Sequence, residues 1–120
     1  MATLLDWERA LENTDGSEDL LLELAEMFIA ECPEMMREVR SAIDAGDASA
    51  LQLAAHTLKG SVRIFAMATA VEAARRLEEM GASGDLSDAD AGWNTLRLEV
   101  DRLTAALADK AAGTASRGME

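Results

Sequence analysis

The chain has 120 residues, of which 49% are hydrophobic, 28% charged and 3% aromatic, and a formal net charge of −12. That length suits one domain with a sizeable core, and the apolar content is too high for a wholly disordered chain. The charge argues against nucleic acid, whose binding needs clustered cations, and against an anionic membrane surface.

No apolar run approaches the ~18 to 20 residues of a membrane span, and Met1-Ala2-Thr3-Leu4-Leu5-Asp6 lacks a basic stretch followed by an apolar one. A cytoplasmic protein is expected. The single cysteine, Cys32, excludes an internal disulfide and a multi-cysteine zinc site. The apolar mass is Leu, Ala and Met with one proline, which favours an all-α fold.

A short first helix is predicted near Asp6 to Asn13, with Leu4, Trp7 and Leu11 on one stripe. After the turn Thr14-Asp15-Gly16, Ser17 caps a second helix whose first residues, Glu18 and Asp19, suit the N-terminal dipole. From there Leu21, Leu24, Ala25, Phe28, Cys32, Met35, Val39 and Ile43 recur at helical steps, in unbroken phase through Pro33. One kinked helix or two abutting helices fit; two, with Pro33 opening the second, are preferred. Cys32 and most methionines fall on core stripes.

Gly46 reads as a C-terminal cap and Asp47 as the next N-cap. A helix is then predicted from Ala48 to Ile64, and another from Met67 to Met80 after a break near Ala66. Gly81 to Asp85 reads as a loop. Ser87-Asp88-Ala89-Asp90 resembles a capping box opening the last helix, where Trp93, Leu96, Val100, Leu103 and Leu107 form a bundle seam. Short connections force neighbouring helices antiparallel. The expected architecture is an antiparallel four-helix bundle with an additional short N-terminal helix, spanning residues 1–110. Residues 111–120, small and polar with two glycines, are expected to form a disordered tail. Met1 and that loose end suggest a stand-alone protein.

Chemistry concentrates on the one histidine, His56. At about 100° per residue, Leu51, Ala54, Ala55, Leu58, Val62 and Phe65 share one face of its helix, and Gln52, His56, Lys59, Gly60, Arg63 and Met67 the other. His56 therefore projects outward. An exposed neutral imidazole, with an ordinary pKa of ~6.5, can attack a phosphoryl group in line. Lys59 could steady the added phosphate and favour the neutral ring, with Arg63 as a second cation and Gln52 as a hydrogen-bonding neighbour. Gly60 costs a helix interior roughly 1 kcal/mol relative to alanine, which a close-docking partner would justify. A lone surface histidine is commonly just polar, and a helical glycine can simply mark close packing. No second His or Cys shares the face, so no metal is expected.

The run His56-Thr57-Leu58-Lys59-Gly60-Ser61, preceded by Ala55 and followed by Leu77-Glu78, resembles the histidine-containing phosphotransfer (HPt) domain of bacterial phosphorelays. The likeness extends to the Phe28 region, Pro33-Glu34 and Ala45-Gly46-Asp47, covering roughly Leu5 to Leu107. The resemblance implies that His56 takes phosphate from an aspartyl phosphate on a receiver domain of a hybrid sensor kinase. It would return the group to the receiver of a response regulator, with Lys59 assisting and Gly60 clearing space. Mg²⁺ would belong to the receiver, and this chain would need no cofactor. The chain departs from the pattern at Ala66, often glycine in the family, at Arg63 and Ile64, often small or polar, and at Ala70, often a larger aliphatic.

A docking surface should flank His56; Met67 on its face, and Leu22, Ile29 or Met27 on the second helix, are the candidates. No phosphate-cradling glycine loop or kinase signature appears, so a monomeric phosphate carrier, not an enzyme, is expected. The alternatives are the phosphoacceptor domain of a chemotaxis-type histidine kinase, a helical adaptor that binds a receiver without phosphate transfer, and a purely structural bundle.

Overall fold

The computed structural model describes residues 5–118. It contains α1 (Trp7–Glu12), α2 (Glu18–Ala45), α3 (Ala48–Arg63), α4 (Ala68–Ser83) and α5 (Ala89–Gly118). Among the described residues there is no strand. Helices α2, α3, α4 and α5 pack each against the next and close the ring between α5 and α2, an up-down-up-down bundle. The fold is the predicted one.

The starts and stops follow local chemistry. The Ser17 hydroxyl accepts from Leu20 N at 3.2 Å, and the Asp47 carboxylate from Ala50 N at 3.0 Å, each satisfying a free donor of a first turn. Gly46, at φ +64°, takes the left-handed turn that ends α2. Inside the ring lie Leu21, Phe28, Val39, Leu58, Leu77 and Leu103, with Phe28 and Phe65 rings 5.6 Å apart and tilted.

Four expectations need correction. Helix α2 runs unbroken from Glu18 to Ala45 with Pro33 inside it, not as two helices. Proline costs a helix interior about 3 kcal/mol, but Phe28 and Cys32 before it and Val39 and Ala42 after it are buried on one stripe, which holds both halves in register. Helix α4 continues to Ser83, so Gly81 is a buried helical residue and Gly84, at φ +82°, is the cap. The Ser87 capping box does not form: Asp85 Oδ1 accepts both the N–H and the hydroxyl of Ser87, making a turn, and α5 opens at Ala89. Finally, α5 continues past Lys110 to Gly118; Ala111, Ala112 and Ala115 are strong helix formers and no proline intervenes. Leu4 of the predicted first stripe, and Met119 and Glu120, lie outside the described residues.

Helix α1 fastens one end of the bundle. Trp7 Nε1 donates to Glu18 at 3.3 Å, Lys110 lies over the Trp7 ring at 5.3 Å, and Asn13 Nδ2 donates to the Ile64 carbonyl at 2.9 Å. That last bond satisfies a carbonyl at the end of α3, where the chain turns sharply through Ala66 at φ +56°.

Candidate functional site

Helix α3 is held by Leu51, Ala55, Leu58 and Val62, all fully buried, so its phase is set and the opposite face turns outward. On that face the His56 side chain is 65% exposed. Helix α4 runs antiparallel beside it and approaches closely at one point. A Cβ on Gly81 would stand 2.5 Å from the Gln52 nitrogen and 2.7 Å from the Ala48 carbonyl oxygen, so only glycine fits. One turn back along α4 from Gly81 is Glu78, and one turn forward along α3 from Gln52 is His56. The tight crossing brings the carboxylate to the imidazole.

Glu78 Oε2 lies 2.6 Å from His56 Nδ1, and Glu78 Oε1 lies 2.6 Å from Lys59 Nζ. The Glu78 and Lys59 side chains are largely covered, at 18% and 19% exposure. The bond from Lys59 holds the Glu78 carboxyl below its ordinary range, the His56 contact adds to this, and partial burial opposes both. An ionised carboxylate only accepts hydrogen bonds, so the ring nitrogen facing it carries the proton. The neutral imidazole is then the Nδ1–H tautomer, and its lone pair sits on Nε2. The carboxylate orients the ring and would stabilise the positive charge that develops when Nε2 forms a bond.

The predicted site residues do not all converge. His56 and Gln52 line one small pocket with Ser49, Leu53 and Glu78. Lys59 is brought in, though its charge is already engaged by Glu78 and does not stand free. Gly60 faces open space: a Cβ there would meet nothing within 4 Å. Internal packing therefore does not account for this glycine, in contrast to Gly81. Arg63 is exposed and lies two turns, about 10 Å, beyond His56 along the helix, in a cleft with Arg9 and Glu72.

Met67 is a correction. It is fully buried as the N-cap residue of α4, because α3 ends at Arg63 and the turn at Ala66 directs the chain inward. Helical arithmetic fails once the helix has stopped. Ile29 is half-buried against the core and Leu22 half-buried, whereas Met27 is 55% exposed.

Two residues escaped the sequence reading. Glu78 was visible only as part of the matched pattern; no periodicity separates it from its neighbour Glu79 as a histidine partner. Leu53, one turn before His56, is 68% exposed, an unusual setting for leucine on an outer face. It borders both the His56 pocket and a groove between α2 and α3 floored by Ala42, Ala50 and Ala54.

A family model for the Hpt domain matches residues 23–106, which include His56, Lys59, Gly60 and Glu78. The chain belongs to the Hpt family. It is accordingly a histidine phosphotransfer protein of phosphorelays. The Hpt bundle is similar to the crystal structure of histidine-containing phosphotransfer protein B from Pseudomonas aeruginosa PAO1, at 25% identity and a TM-score of 0.84, covering 93% of this chain and 97% of that one. It shares its fold with the HPT domain of a sensor hybrid histidine kinase from Shewanella, at 18% identity and a TM-score of 0.81, covering 92% and 95%. Among curated proteins none matches the chain. Hpt domains interact with receiver domains of hybrid kinases and response regulators. No helix among the described residues is long and apolar enough to cross a membrane.

Proposed function

We propose that His56 is the phosphoacceptor and that its Nε2 is the reacting atom. The Nε2 lone pair attacks the phosphorus of a receiver aspartyl phosphate in line. The bond from phosphorus to the aspartyl oxygen breaks, and the carboxylate leaves with the electron pair. The ring then carries phosphate on Nε2 and a proton on Nδ1, with Glu78 balancing its positive charge. A carboxylate of a second receiver reverses the step, and Mg²⁺ belongs to the receivers in both directions. Lys59 holds Glu78 in place and lies close enough to share its charge with the phosphate.

Gly60 leaves the approach open, Gln52 flanks the ring, and Leu53 with the groove between α2 and α3 offers the apolar contact for the docking receiver. The chain works as a monomeric cytoplasmic carrier that needs no cofactor and has no kinase activity of its own. Neither nucleic acid nor membrane enters the cycle.

The observation that supports this reading best is the 2.6 Å contact between Glu78 and Nδ1, which leaves Nε2 outward and nucleophilic. The test is phosphate uptake from a receiver loaded with acetyl phosphate and Mg²⁺. His56→Gln should take up none while keeping its helical circular dichroism; an acid-labile phosphate on that variant would refute the assignment.

The same carboxylate favours a second reading, the phosphoacceptor domain of a chemotaxis-type kinase, since a more nucleophilic ring suits a less reactive donor than an acyl phosphate. Faster phosphorylation by an ATP-bound kinase domain than by any receiver would select it.

A further inference from the structure

Among residues 5–113, only the cations Arg9, Arg63 and Arg97 make neither an ion pair nor a cation–π contact. In a chain with 23 acidic and 11 basic side chains, an unpaired arginine is conspicuous. Two of the three, Arg9 and Arg63, line one cleft of about 510 Å³, where α1 meets the junction of α3 and α4. Two carboxylates also line it, and both are engaged elsewhere. Asp6 caps α1 by accepting from the Arg9 backbone N–H at 3.1 Å. Glu72 accepts from Arg75 at 2.7 Å and faces Arg76 at 3.9 Å.

Each arginine stands in the last turn of its helix, where the dipole favours a cation. That accounts for one charge per helix. It does not account for two guanidinium groups sharing a cleft with neither of them held in an ion pair. Arg63 also lies on the outer face of α3, beyond the bare surface over Gly60, so a partner seated over His56 and Gly60 would reach it. The groove at the other end of the same face is bordered by Glu34, Glu38 and Asp47, with Arg37 already paired to Glu34. The surface around His56 therefore carries carboxylates without an ion pair at one end, Glu38 and Asp47, and guanidinium groups without one at the other.

We propose that Arg9 and Arg63 form a clamp for an acidic side chain on the surface of the docked receiver, fixing which way round the receiver sits over His56. Guanidinium groups suit this role because their planar donors match a carboxylate in two-point geometry. The clamp rests on the phosphotransfer reading above, and acts on docking rather than on the phosphoryl group.

The test is the transfer rate as a function of receiver concentration, using an isolated receiver phosphorylated with acetyl phosphate in Mg²⁺. The probe is the receiver from the same genome that donates fastest to the wild type. The double variant Arg9→Glu, Arg63→Glu should raise KM about 10-fold at low salt and leave the maximal rate within about two-fold. At ~0.5 M salt the KM difference should shrink below about two-fold. Arg97→Glu, an exposed charge change on α5, should leave KM unaltered, and thermal melting should show all variants folded. A receiver carrying one surface acid changed to lysine should regain affinity for the double variant.

An unchanged KM at low salt would overturn the clamp, as would a loss confined to the maximal rate. A wild-type chain that takes phosphate from no receiver would instead bring down the phosphotransfer reading, and the clamp with it.

Discussion

Glu78 spans His56 and Lys59 with its two oxygens, 2.6 Å from His56 Nδ1 and 2.6 Å from Lys59 Nζ. One carboxylate on α4 thereby sets the tautomer of the histidine and the position of the lysine, both on α3. The crossing at Gly81 makes this reach possible.

Glu78→Ala should slow phosphate uptake by about 10-fold, a loss of about 1.4 kcal/mol in the transition state. Glu78→Gln keeps an oxygen that can accept from Nδ1 and should fall between the two. The ¹⁵N shifts of the imidazole give an independent readout: wild type should show the Nδ1–H tautomer, and Glu78→Ala a mixture. A wild-type ring protonated on Nε2 in its neutral form would contradict the assignment.

The contact also carries a pH signature. The folded-state pKa of Glu78 lies below its ordinary value, so the native state favours the ionised carboxyl. Its contribution to stability is complete above the unfolded-state value, near 4.3, and is lost as pH falls through the folded-state value. The stability gap between wild type and Glu78→Gln, measured by urea unfolding, should narrow as pH falls below ~pH 4. A gap that fails to narrow below ~pH 4 would reject the argument.

The two glycines should separate in opposite directions. Gly60→Ala adds a methyl group into open space and should stabilise the bundle by up to about 1 kcal/mol while slowing transfer from a receiver. Gly81→Ala drives a methyl group into the backbone of α3 at Gln52 and Ala48 and should destabilise by about 1–3 kcal/mol or more. Chemical denaturation alongside transfer kinetics checks both. Equal stability effects would mean that the crossing is looser than the geometry indicates.

Ala66 holds φ +56°, a conformation that costs a non-glycine residue roughly 1–2 kcal/mol. Replacement by glycine relieves that strain but makes the unfolded chain more flexible, which returns up to about 1 kcal/mol. Ala66→Gly should therefore melt a few degrees higher, with transfer unaffected. A lower melting temperature would show that the alanine methyl contributes packing that outweighs the strain.

These residues mark where sequence reading succeeds and where it stops. Outward placement of His56 and Gly60 was legible because helical phase is a local property, set by Leu51, Ala55, Leu58 and Val62 at fixed angular intervals, whereas Lys59 is largely covered. The caps at Ser17, Gly46 and Asp47 were legible for the same reason, since each bonds within a few residues of itself. Met67 was misplaced because the phase was carried past the end of α3, and Pro33 because burial on both sides outweighs a local penalty.

The sequence by itself determined an acidic helical bundle with a single reactive face and one histidine upon it. Only the tertiary structure decided that Glu78, 22 positions from His56 in the chain, holds that histidine and Lys59 together. It also decided that Gly81 serves packing whereas Gly60 faces open space, and that Arg9 and Arg63 share a cleft. Each of those facts depends on where two helices cross, and a crossing is fixed by the packing of whole faces rather than by the period of either helix alone.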